Sequence, residues 1–138
     1  MVYQVVAACI MLIFMVTLWF VPLTAWGVIK SQGSTINYWF ILMIAAVYAV
    51  LGIVFPHMTP SGALGIRLPW TVINMEVWRK THQAARPICW IMAALTALCA
   101  GVNSFAPVVA WSVVLIVLVL GTGVIALYSY LVWRRMTR

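Results

Sequence analysis

The sequence predicts an all-α integral membrane protein, a four-helix bundle with an amphipathic helix in its central cytoplasmic loop. Hydrophobic residues make up 67% of the 138-residue chain and charged residues only 7%, and a soluble domain of this size cannot bury so much apolar surface. Four long runs contain no Asp, Glu, Lys or Arg, so every charged side chain falls between or after them. The cations are also distributed very unequally among the connections, which predicts an orientation.

The four uncharged runs predict membrane-spanning helices at residues 3–29, 37–55, 86–103 and 106–133. At ~1.5 Å per residue the second run covers roughly 28 Å, close to the ~30 Å hydrocarbon core. The first and last runs are longer than an upright crossing needs, so we expect them to tilt or kink, the first at Pro22. Helices are favoured over strands because no run alternates with a period of two and a barrel needs more strands.

Four crossings place both termini and the 56–86 loop on one side of the membrane. That side carries seven of the eight Lys and Arg residues, and the other side carries only Lys30. Positive charge favours the cytoplasmic side, so we expect the termini and the loop to be cytoplasmic. The net charge of +7 is then explained by topology and by contact with anionic lipid of the bilayer, without direct binding of nucleic acid.

Small residues at four-residue spacing predict a helix-packing face. They are Ala93, Ala97 and Gly101 in the third run, opposite Ala45 and Ala49 in the second. Such spacing lets backbones approach closely in lipid, within one chain or in a homo-oligomer. The abundance of alanine in membrane helices explains the same spacing equally well.

The three cysteines, Cys9, Cys89 and Cys99, lie inside the runs without CxxC spacing. They are expected to be buried apolar residues, with no disulfide or metal site. Residues 6–9 fit a lipoprotein cleavage box, but no basic segment precedes them, so we expect no cleavage.

The central loop begins with helix-breaking and turn residues. Phe55-Pro56 ends the second run, and residues 59–62 are turn material. Gly65 permits backbone angles that other residues avoid. Pro69 pushes Leu68 towards an extended conformation.

A short amphipathic helix is predicted from residue 74 to about residue 85, with Asn74 as its N-cap. Glu76 faces Lys80 at i+4, which favours an ion pair over a role as catalytic acid or base. The helix is expected to lie in the inner membrane interface, and Pro87 to start the third span. Its apolar stripe comprises Met75, Trp78, His82 and Ala85.

The loop carries a family-like pattern. Gly65-Ile66-Arg67-Leu68-Pro69-Trp70-Thr71 is followed, about one helix later, by Trp78-Arg79-Lys80-Thr81-His82 and then by a membrane helix. This pattern resembles the SdpI/YfhL family of bacterial integral membrane proteins over residues 64–98. It departs from the family at Leu68, where Thr is usual, and at Ala85-Arg86, where small residues including Gly are usual.

The resemblance implies a membrane protein that protects its cell from a secreted, membrane-damaging peptide toxin. It also implies a receptor that holds a cytoplasmic transcriptional repressor at the membrane when toxin is present. A bacterial inner-membrane location follows from the same resemblance. The motif and partner-contact residues implied are Gly65, Arg67, Pro69, Trp70, Thr71, Glu76, Trp78, Arg79, Thr81 and His82.

Each of these side chains also has a structural interpretation. Arg67 either contacts a partner or pairs with a lipid phosphate or the single carboxylate. Trp70 and Trp78 fit interface anchors better than partner contacts. His82 has the chemistry of a pH sensor, although a structural hydrogen bond is the commoner role. Thr81 is expected to bond back to the helix backbone.

Two other classes of protein compete with the immunity and signalling interpretation. A small four-helix transporter fits the length and the number of spans, but proton-coupled export normally needs a buried carboxylate and no run contains one. An enzyme is disfavoured because one carboxylate and two histidines leave little for paired acid–base chemistry. No cofactor is expected, since no histidine lies within a run to ligate haem.

Overall fold

A computed structural model describes residues 33–59 and 65–137, together with the isolated positions 15, 19, 23 and 26. These ranges contain α1 (Gly33–Val54), a 3-10 turn (Phe55–His57), α2 (Pro69–Ile73), α3 (Met75–Val102) and α4 (Pro107–Met136), and no strand. The all-α class is therefore confirmed. The predicted span at 3–29, with Cys9 and Pro22, and the predicted turn at 60–62 lie outside the described residues apart from those isolated positions.

Three described helices are long and apolar enough to cross a membrane: Ile36–His57, Met75–Val102 and Pro107–Met136. α3 has 28 residues and α4 has 30, which at ~1.5 Å per residue gives roughly 42 and 45 Å. Both exceed the ~30 Å hydrocarbon core. Each helix therefore extends beyond the apolar layer at one end or both.

The helices begin where the sequence supplies capping chemistry. Asn74 accepts the backbone N–H groups of Glu76 (2.9 Å) and Val77 (3.4 Å) and so caps α3, as predicted. Pro107 occupies the first turn of α4, where a missing N–H costs no intrahelical bond. Leu68 is extended, with φ −94° and ψ 153°, immediately before Pro69 starts α2, which confirms the effect predicted for that proline.

The predicted break at Pro87 is wrong. Pro87 lies inside α3, which runs continuously from Met75 to Val102, so the predicted amphipathic helix and the third span are one element. A proline removes the bond to the carbonyl four residues earlier, here that of Gln83. Both Pro87 and Gln83 are exposed, and membrane helices tolerate such a gap when the bonds on either side remain.

α3 is the central helix of the described bundle, with α1 and α4 packed on it and scarcely touching each other. Gly52 of α1 fits against the Trp90 ring, and Gly121 of α4 fits against the Met92 side chain. Near the loop the core is Val54, Phe55, Met58, Trp78, Ala85, Cys89 and Ile125, and at the opposite end it is Ile41, Cys99, Ala100, Ala110 and Val114.

The predicted small-residue face is only partly used. Ala45 and Ala93 are buried, whereas Ala97 is exposed and a Cβ added at Gly101 would meet nothing within 4 Å. A four-residue step advances about 40° around a helix beyond a full turn. The spacing therefore drifts away from the core after Ala93.

The described cysteines behave as the sequence predicts. Cys89 and Cys99 are free and buried, and each packs in one of the apolar clusters along α3. Both therefore serve as small core residues.

Candidate functional site

Residues 65–73, which we call the motif loop, fold against α3 and α4 at the carboxyl-terminal end of α4. Gly65 begins the motif loop with φ 136°, a conformation that strains any residue with a Cβ. A Cβ at this position would lie 2.6 Å from the Trp78 ring and 3.0 Å from Nε2 of His82. Glycine is therefore required by both the backbone and the contact, which confirms the role predicted for it.

Trp78 is a packing residue. Its side chain is 2% exposed, and its indole Nε1 donates to the carbonyl oxygen of Met58 at 2.9 Å. The ring stacks on His82 with a centroid distance of 4.2 Å. The predicted role of interface anchor is therefore wrong for Trp78, because the 3-10 turn and Gly65 cover the face that was expected to meet lipid.

His82 joins α3 to the motif loop. Its side chain is 1% exposed, and its Nδ1 lies 2.9 Å from the carbonyl oxygen of Trp78. A carbonyl only accepts, so Nδ1 carries the proton, and Nε2 accepts the backbone N–H of Ile66 at 3.1 Å. The predicted structural hydrogen bond is confirmed.

Thr81, the neighbour of His82, does not bond to the helix backbone as predicted. Its side chain is fully buried, and its hydroxyl has no hydrogen-bond partner among the described residues. The side chain acts as a small buried packing group of α3.

Thr71 closes the motif loop on itself. Its side chain is fully buried, and its hydroxyl accepts the N–H of Leu68 at 2.9 Å. The same hydroxyl lies 2.8 Å from the carbonyl oxygen of Ile66 and 2.9 Å from that of Leu68. The sequence identified Thr71 only as a motif member, although a hydroxyl three residues after a helix-starting position is a known capping signal.

Trp70 ties the motif loop to α4. Its indole Nε1 donates to Oγ of Ser129 at 2.9 Å, and Ser129 is fully buried. Its ring packs against Tyr130 and Trp133 with centroid distances of 5.6 and 6.1 Å. Sequence reasoning missed Ser129, because nothing in the last apolar run distinguishes it from the other hydroxyl residues there, such as Ser112 and Thr122.

The charged members of the motif lie on its outer surface. Arg67, Glu76 and Arg79 are exposed, and Glu76 pairs with Lys80 at 2.8 Å, as predicted. Met75 is 69% exposed and does not join the buried stripe of Trp78, His82 and Ala85. The exposure of Met75 is compatible with the predicted stripe, which was expected to face the membrane interface, whereas the burial of Trp78, His82 and Ala85 is not.

The motif loop and the carboxyl-terminal end of α4 lie at the same end of the bundle, because Trp70 contacts residues 129–133. The contact between Met92 and Gly121 sets the register of the antiparallel pair α3 and α4. In that register Arg79 is level with Arg134. The cations of the loop and of the last turn of α4 thus form one layer.

Acidic and metal-ligating side chains are sparse among the described residues. Across residues 33–59 and 65–137 no three His, Cys, Asp or Glu side chains converge as metal ligands would. Glu76 is the only acidic residue of the chain, and it is exposed and paired with Lys80.

Comparison with known protein families identifies the relationship. The model of the SdpI/YfhL protein family matches residues 57–130, more than half of the chain. The chain belongs to the SdpI/YfhL family. The match begins at the 3-10 turn and continues to Tyr130, so it includes both anchoring contacts of the motif loop, at His82 and at Ser129. No curated protein and no solved structure matches the chain.

Proposed function

We propose that this membrane protein of the SdpI/YfhL family protects its cell from a secreted, membrane-damaging peptide toxin. We further propose that its motif loop faces the cytoplasm and holds a soluble transcriptional repressor at the membrane. The observation that carries the proposal is that the motif loop bonds directly to α3 and α4 and packs, through Ile66, against a cluster that includes Val54 of α1. Displacement of any of those helices by a peptide would therefore reach the motif loop.

Two hydrogen bonds join the motif loop to α3 and α4, and a third joins α3 to the segment that follows α1. Trp78 of α3 donates to Met58, which follows the turn at the end of α1. Ile66 donates to His82 of α3, and Trp70 donates to Ser129 of α4.

The surface offered to a partner consists of the exposed motif side chains. Arg67 and Arg79 supply positive charge, whereas Trp78 is enclosed and would contact a partner only after unpacking. A partner with acidic side chains fits this charge. The transporter alternative is weaker, since the only carboxylate in the chain lies on the surface of α3 rather than within the bundle.

The test expresses the chain in a bacterial strain that a secreted peptide toxin kills, at matched membrane levels. Protection is measured as survival and as retained membrane potential. Arg67→Gln should reduce protection or repressor retention. Arg135→Gln is the matched control, because it removes one exposed cation from the same end of the bundle but outside the motif.

The two parts of the proposal have separate readouts. Survival no better than in cells without the chain would refute the immunity role. The signalling role is measured by the fraction of a co-expressed soluble transcriptional repressor that sediments with membranes. Sedimentation that is unchanged by toxin, or equally changed by both variants, would remove the motif loop from signalling.

A further inference from the structure

The two ring nitrogens of His82 form hydrogen bonds of opposite direction with different parts of the chain. Nδ1–H donates to the carbonyl of Trp78 within α3, whereas Nε2 accepts from Ile66 in the motif loop. Only the neutral ring with its proton on Nδ1 satisfies both bonds. The hold on Ile66 therefore depends on an unprotonated Nε2.

Protonation of His82 would affect these two bonds unequally. A proton on Nε2 would place an N–H group against the N–H of Ile66, donor against donor, and that bond would be lost. The bond from Nδ1 to Trp78 would persist. The stacking on the Trp78 ring, at 4.2 Å between centroids, also suits a cation, so the charged ring keeps its place on α3.

We propose that His82 is an acid-sensitive latch for the motif loop: protonation of Nε2 releases Ile66 and the adjacent Arg67 from α3 and leaves α3 itself intact. The motif loop would then remain attached through Trp70 and Ser129. It would pivot at that second anchor rather than detach.

Burial of the His82 ring keeps the latch closed at neutral pH, because the charged ring would lose its solvation by water. The charged and histidine side chains on the neighbouring elements are His57 on the 3-10 turn, Arg67 in the loop, Arg79 and Arg86 on α3, and Arg134 and Arg135 on α4, while Glu76 is paired with Lys80. α1 carries no charged or histidine side chain. The cations oppose a further positive charge, so opening requires acid.

One consequence rests on the proposed function. A peptide that permeabilises the membrane admits protons, and a cytoplasmic latch of this kind would open in response. The latch itself is a property of the loop and of α3, and it stands whether or not the chain confers immunity.

The test is amide hydrogen exchange on the full chain in detergent micelles, read residue by residue by NMR. From about pH 7.5 to about pH 4, a range that extends well below ordinary histidine titration because the His82 ring is buried, base-catalysed exchange slows for every amide. At the acid end, the Ile66 amide should exchange about tenfold faster than this general slowing predicts, because it has lost one hydrogen bond. The Ala110 amide, bonded to the carbonyl of Ala106 at 3.0 Å, is the reference at the far end of the bundle.

The control uses the two histidines of the chain. His82→Gln should abolish the extra exchange of the Ile66 amide at acid pH. His57→Gln, on the exposed turn, should leave that extra exchange unchanged. The same extra exchange of Ile66 at acid pH in His82→Gln would refute the latch. Simultaneous loss of protection at Ile66 and Ala110 would also refute it, because it would indicate unfolding of the bundle.

A second measurement does not depend on the folding of a variant. The NMR chemical shifts of the His82 ring nitrogens in the wild-type chain should change with the same pH midpoint as the Ile66 exchange rate. Different midpoints for the two quantities would refute the coupling. Because no toxin is present, failure of the latch leaves the immunity proposal untouched, and failure of immunity leaves the latch untouched.

Discussion

Trp70 and Ser129 are 59 residues apart in the chain, and the indole N–H of Trp70 donates to Oγ of Ser129 at 2.9 Å. This bond fixes the motif loop to the last membrane helix. It also gives Ser129, in the middle of an apolar run, a structural reason to be polar.

Ser129→Ala is expected to destabilise the protein by about 1 kcal/mol, because the Trp70 N–H loses its partner in a covered site. Ser112→Ala is the matched control on the same helix: Ser112 is exposed and bonds only to the Val108 carbonyl of its own helix. Thermal unfolding in detergent, followed by tryptophan fluorescence, measures the difference. Equal midpoints for the two variants would contradict the anchoring role.

Gly65→Ala is expected to destabilise the motif loop by about 1–3 kcal/mol, since alanine is strained at positive φ. Its Cβ would also collide with the Trp78 ring. Gly101→Ala should be neutral or stabilising, because nothing lies within 4 Å of the added carbon and alanine favours helix. Limited proteolysis of the loop and thermal unfolding measure both effects; a stable Gly65→Ala variant would refute the packing described here.

Gly121→Ala should weaken the contact between α3 and α4. The added carbon would overlap the Met92 side chain, and overpacking costs about 1–3 kcal/mol when neighbours cannot yield. A flexible methionine yields in part, so we expect the lower end of that range. Gly123→Ala, two residues away with open space around its Cβ position, is the control, and a larger loss there would contradict the described register.

The orientation can be tested by cysteine labelling in intact cells carrying Cys9→Ser, since Cys89 and Cys99 are buried. Met75→Cys, at a position 69% exposed, should react with an impermeant maleimide only after the membrane is opened. Phe105→Cys, at a position 91% exposed in the opposite turn, should react from outside. The reverse pattern would overturn the cytoplasmic placement of the motif loop and, with it, the proposed contact with a repressor.

The positions of the described helices could largely be predicted from composition. Uncharged runs of sufficient length predict spans because charge is costly in lipid, and α1, α3 and α4 cover all but one residue of each of the predicted spans 37–55, 86–103 and 106–133. Local signals were also reliable: Asn74 caps α3, and Gly65 has positive φ. Each of these depends on interactions within a few residues.

The errors at Pro87 and Trp78 share one cause. Proline often marks a helix start, and an amphipathic stripe with tryptophan often marks a membrane interface, but both rules ignore what packs on the segment. In the folded chain the 3-10 turn and Gly65 cover the stripe. Burial of that face against protein keeps the helix in one piece through Pro87.

The sequence by itself determined the membrane class, the helical content, the motif and its family, because hydropathy, charge and helix capping depend on residues that are close together in the chain. The tertiary structure alone decided which motif side chains are enclosed and which are exposed. It also decided that His82 and Ser129 are the two anchors of the motif loop. Those outcomes depend on contacts between residues that are separated by 16 positions in one case and by 59 in the other. Contacts at such separations produce no periodic pattern in the sequence.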